Sequence, residues 1–138
     1  MQGVARNFFT LAVIYAICGM MLGLSMAMSH DHSQMPTHAH IMVAGFVMSS
    51  VFAFFYHLVP AARASRLAPV HFWLTAASGV VLMAGLFVMI GGNDAIEPIV
   101  ATASMVFFAS MLLFAWIALS AIWKTEAAAG AAGSAPAH

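Results

Sequence analysis

Thr37-His38-Ala39-His40-Ile41-Met42-Val43-Ala44-Gly45-Phe46-Val47-Met48-Ser49-Ser50 opens a run that stays uncharged through Pro60. Twenty apolar residues in helical conformation cover ~30 Å, the thickness of bilayer hydrocarbon, so the run reads as a membrane-spanning helix. Two imidazoles stand at its head. Ionisable groups at a membrane span are costly and by default mark a site, and imidazole is a common ligand for haem iron, copper and zinc. Side chains at i and i+2 of a helix point ~200° apart. One helix can therefore offer His38 to one site and His40 to another on its opposite side.

Outward from this run the chain keeps the same character. Of its 138 residues 64% are hydrophobic and 6% are charged, far below the ~25% charged of a soluble domain. Three more apolar segments of spanning length are present. The spans are expected at about 8–28, 38–59, 70–90 and 98–123, joined by short polar connections, within a membrane domain of residues 1–126. The Ala/Gly/Ser/Pro-rich stretch 127–138 reads as a disordered tail. The first apolar run is longer than the core of a secretory signal, so a retained helix is expected. The fold class is all-α: an integral four-transmembrane-helix bundle.

Arg6, Arg63, Arg66 and Lys124 fall on one side of four such spans, and Asp31, Asp94 and Glu97 on the other. The excess of positive charge marks the cytoplasmic face, which gives an N-in, C-in topology and a His-rich loop facing the periplasm of a bacterial inner membrane. Trp73 and Trp123 suit anchors at the inner interface. Net charge is zero with no basic run, so nucleic acid is excluded as a partner. Membrane lipid is the expected surrounding. The single cysteine, Cys18, lies mid-span and reads as a small buried hydrophobe.

Small residues form stripes, Gly19-x-x-x-Gly23 in the first span and Gly45-x-x-x-Ser49-x-x-x-Ala53 in the second. Such stripes let helices approach closely, within one chain or between subunits. Pro36 precedes the second helix, with Thr37 as its expected N-cap. His57, at the far end of the same helix, is ~25 Å from His40 along its axis. His57 and His71, which opens the third span, are read as hydrogen-bonded interfacial residues, with a second, inner ligand pair as the alternative. His30-Asp31-His32 lies in the outer loop beside Met26, Met28 and Met35. It is a solvated loop, or, with His38 and His40, a collecting site for copper.

The pattern His38-Ala39-His40 … Val51-Phe52-Ala53 … Phe55-Tyr56-His57-Leu58-Val59-Pro60 resembles the tenth transmembrane helix of the haem–copper oxidase catalytic subunit. That helix carries His-x-His at its outer end and His-x-x-Pro at its inner end. His71-Phe72 resembles the start of the helix that follows. The likeness covers about a quarter of the chain. It implies that His38 and His40 ligate haem iron, haem b being the expected cofactor. The family's subunit is built as three four-helix arcs, so the resemblance also implies a homotrimer of twelve helices. The family's second His-bearing helix with an adjacent tyrosine and its paired outer arginines have no counterpart here, and no carboxylate or lysine lies within a span.

The function that follows is a membrane haem-binding redox protein. It would transfer electrons, or bind and reduce O2 or NO as an oxidoreductase, with an electron-donor protein or a quinol as partner. The alternatives are a copper-binding membrane protein and a cofactor-free accessory subunit of a respiratory complex.

Overall fold

The computed structural model of the chain describes residues 1–133, with side chains through Lys124; of the tail expected at 127–138, residues 127–133 continue the last helix and 134–138 lie outside the described residues. Among the described residues every regular element is helical. Four helices are long and apolar enough to cross a membrane. They are α1 (Val4–Ser29), α2 (Met35–Leu58), α3 (Leu67–Ile90) and α4 (Glu97–Gly133), the last being apolar over Asp94–Lys124. Each matches an expected span to within a few residues at its apolar section. In lipid the backbone must satisfy its own hydrogen bonds, and an uninterrupted helix does so within one segment.

Proline placement keeps the helices whole. Pro36, Pro69 and Pro98 each stand in the first turn of α2, α3 and α4, where their missing N–H has no intrahelical acceptor to lose. Pro60 starts a separate turn, Pro60–Arg63, and forces Val59 out of the helical region (φ −114°, ψ 86°), which ends α2. His30 stops α1 in the left-handed conformation, φ 56°.

Two local features of α2 differ from the sequence expectation. The helix begins at Met35 rather than after Thr37, because Pro36 is already shaped for a first turn. Thr37 is buried and donates its hydroxyl to the Gln34 side chain at 2.8 Å, and Gln34 in turn donates to the Phe87 carbonyl of α3. The second feature is a π-helical stretch, Ile41–Val47, directly after the two histidines. Here the Met48 N–H reaches the Val43 carbonyl, five residues back. Such widened turns insert an extra residue and recur at functional positions.

The helices pack as two antiparallel hairpins, α1 with α2 and α3 with α4, with α3 in touch with both members of the first pair. One end of the bundle carries all four basic residues; the other carries Asp31, Asp94, Glu97 and four of the histidines. The main core lies towards the basic end, built on Phe8, Phe52, Ala53, Tyr56 and Ile117. A smaller one, Leu82, Val100 and Ala103, joins α3 to α4 towards the histidine end. The small-residue stripes work inside the chain. Gly19 and Gly23 face α2, Gly45 faces Tyr15 of α1, and Ser49 and Ala53 are buried. That face of α2 is therefore occupied by the chain's own helices. Cys18 is exposed on α1, not buried as expected.

The Tyr15 ring lies flat enough on α2 that a methyl on Gly45 would come within 2.6 Å of its Cγ. An aromatic ring cannot yield as a flexible side chain does. Gly45→Ala is expected to destabilise the folded protein by about 1–3 kcal/mol through overpacking, read as a lower thermal midpoint in detergent. Adding Tyr15→Leu should recover part of the loss. An unchanged midpoint in Gly45→Ala would contradict this packing.

Candidate haem- or metal-ligating site

His38 and His40 leave the first two turns of α2 in different directions. The His38 ring turns inward against α1, where its Nδ1–H donates to the Gly19 carbonyl at 2.9 Å. Its Cε1 sits where a side chain on Gly23 would be, 2.9 Å from a Cβ built there. Gly23 is thus the space that admits this imidazole, while Gly19 makes room for Met42 and Ile41. His40 is exposed, and its Nδ1–H donates to the Pro36 carbonyl one turn back at 2.8 Å. A carbonyl oxygen only accepts. In the neutral imidazole the proton is therefore on Nδ1 in both rings, and both Nε2 atoms keep their lone pairs. Metal-ligating histidines carry this backing bond, which fixes the tautomer and orients the ring.

His40 also heads an outward stripe. Val43, Val47, Val51, Phe54 and Leu58 follow it down α2, all exposed. Histidines 30 and 32 are exposed in the connecting loop. Beside them the Asp31 carboxylate accepts the Ser33 backbone N–H at 2.9 Å, which holds its pKa below the ordinary carboxylate value. No three His, Cys, Asp or Glu side chains among the described residues form a group able to hold a metal ion. The four histidines weighed as a copper set are accordingly not drawn to one point.

At the basic end His57 and His71 have different surroundings. His57 is exposed. His71 is completely buried, with its Nδ1 3.0 Å from the Tyr56 hydroxyl and its Nε2 without a partner. Phe8, Phe52 and Phe114 surround it with ring centroids 4.8–5.4 Å away. His71 is thus hydrogen-bonded, as read from sequence, though deep in the core rather than at an interface. The Tyr56–His71 pair went unseen because the two residues lie fifteen apart on separate helices. The available signal was the spacing of His71, Thr75 and Ser78, which puts three polar residues on one face of α3. All three are buried, and Thr75 donates to Ser110 of α4 at 3.1 Å.

Tyr56→Phe removes a hydroxyl from the His71 ring and leaves its Nδ1 unpaired in an apolar cage. The expected cost is about 1–3 kcal/mol of folding stability, measured as a lowered thermal midpoint, with His57→Ala leaving that midpoint unchanged.

No family model, no curated protein and no solved structure matches this chain.

Proposed function

We propose that the chain is a haem-binding redox protein of a bacterial inner membrane, with His38 and His40 as the iron-ligating residues. The observation that carries this reading is the pair of backing bonds, Gly19 carbonyl to His38 and Pro36 carbonyl to His40. They leave an Nε2 lone pair on each ring, with His38 turned towards α1 and His40 exposed on the outside of α2. The donor set suits haem b, whose iron takes imidazole nitrogen. When bound, such a haem supplies one-electron chemistry, and an open axial position would admit O2 or NO. Val43 and Val47, below His40, offer an apolar wall for a porphyrin.

Because one chain leaves His40 exposed, the site needs covering from outside the chain. A homotrimer of twelve helices provides this, with the valine stripe of α2 turned to a neighbouring copy in place of the inward-facing Gly45–Ser49–Ala53 stripe. The positive-inside rule supports an N-in, C-in orientation with the histidine end periplasmic. An electron-donor protein or a quinol is the partner such a site requires.

Purified protein should show a Soret band. His40→Ala should abolish haem retention or shift the reduced spectrum from low spin towards high spin, and His38→Ala should act on a different face. His57→Ala should leave the haem intact. Gly23→Ala, which displaces the His38 ring, should weaken haem binding about 10- to 100-fold if His38 is a ligand. Copper by elemental analysis without a Soret band would favour the copper-binding reading, and absence of both the cofactor-free accessory subunit. Haem loss in His57→Ala, with retention in both His38→Ala and His40→Ala, would move the site to the other end.

Orientation is tested with Cys18 replaced by alanine and a cysteine placed at Ser33. It should react with an impermeant thiol reagent in spheroplasts with intact inner membranes. Labelling only after lysis would reverse the topology.

A further inference from the structure

The basic end holds a cavity of about 310 Å³ between the Pro60–Arg63 turn and α4. Its floor is apolar, formed by Leu67, Trp116 and Ile117, and its polar lining is Ser65, Ser120 and Lys124. At ~30 Å³ per water, the space admits about ten water-sized groups, the scale of a glycerophosphate. Arg63 and Arg66 are chain neighbours of the lining residues Ala62, Ser65 and Leu67 on the connection between α2 and α3. Asp31, Asp94 and Glu97 all sit at the opposite end of the bundle, so no carboxylate with a described side chain balances these three cations. Glu126, two residues past Lys124, is beyond the described side chains. Trp73, Trp116 and Trp123 are exposed around the same end, the position of an interfacial aromatic belt. The cavity is therefore at head-group depth, open to lipid on an apolar side and cationic on its polar side.

We propose that this cavity binds the phosphodiester head group of an anionic phospholipid. Lys124, with Arg63 and Arg66, meets the phosphate charge, Ser65 and Ser120 supply hydroxyls, and the Leu67–Trp116–Ile117 floor takes the first carbons of the acyl chains. Basic pockets between membrane helices hold acidic lipids by this combination. The assignment depends neither on haem binding nor on the orientation of the chain.

Trp116 lies in the cavity lining and reports its occupant. In a variant with Trp73→Phe and Trp123→Phe, both at exposed positions, Trp116 is the remaining indole. Its fluorescence is read in phosphatidylcholine vesicles carrying either dibrominated phosphatidylglycerol or dibrominated phosphatidylcholine. The anionic lipid is expected to quench more strongly at equal mole fraction. Its relative binding constant should fall about fivefold for each cation removed, in Lys124→Gln and again with Arg66→Gln. Both side chains are exposed, and circular dichroism checks that the variants fold. Equal quenching by the two lipids, or a preference that survives both substitutions, would overturn the proposal. So would reversal of the excess quenching by millimolar inorganic phosphate, because the cavity would then be a site for a soluble anion.

Discussion

Hydrocarbon offers no hydrogen-bond partner to a hydroxyl or an imidazole, and many polar side chains of this chain are arranged around that constraint, with Tyr15 OH, Ser49 Oγ and His71 Nε2 left buried without a partner. Thr10, Ser50, Thr102 and Ser104 each fold back onto the carbonyl one turn earlier in their own helix. These bonds satisfy the hydroxyl without tying helices together. The cross-helix bonds sit where the helices must be held: His38 to Gly19 between α2 and α1, Gln34 to Phe87 between the start of α2 and α3, Tyr56 to His71 between α2 and α3, and Thr75 to Ser110 between α3 and α4. With Phe8 of α1 stacked against Tyr56 at 5.9 Å, four helices converge on one layer. Van der Waals contact and inward-turned polar groups hold a membrane bundle that has no hydrophobic effect between its helices.

The same constraint separates the two ends of α2. At one end Tyr56 and Phe52 lock the helix into the aromatic layer. At the other, His38 and His40 spend one nitrogen each on a backbone carbonyl and keep the second. A structural histidine in lipid surroundings would be expected to bury the whole ring. His71 does this, and His40 does not. The two imidazoles thus stand in opposite settings, one fully caged among aromatic rings and one exposed with its Nδ1 held by a backbone carbonyl.

Hydropathy and length made the four spans legible, since each is a self-contained statement about one segment. The prolines made the helix starts legible to within a few residues. Thr37 misled because its capping preference was outweighed by Pro36, which is shaped for the first turn. The small-residue stripes were readable as close contacts but not as to partner. Only the fold shows that Gly23 makes room for an imidazole and Gly45 for a phenol ring. Cys18 looked buried because apolar segments bury cysteine in water-soluble proteins, whereas lipid allows it on the outside. Of the candidate site, the identity and divergence of His38 and His40 were in the sequence. The carbonyl that backs His38 was not, because Gly19 is on another helix. Nothing in Ile41–Val47 signals the widened turns.

Those widened turns make α2 two rods joined with a phase offset. The rod towards the basic end is indexed by Phe52 and Tyr56 against the aromatic layer. The rod bearing the histidines is indexed by His38 against Gly19 and Gly23. One residue more or less in the joint rotates one rod against the other by ~100°. Loss of a residue there would therefore carry both imidazoles to new bearings while leaving the layer at the other end undisturbed. The joint sets the compass direction of the two imidazoles independently of the core that holds the helix in place.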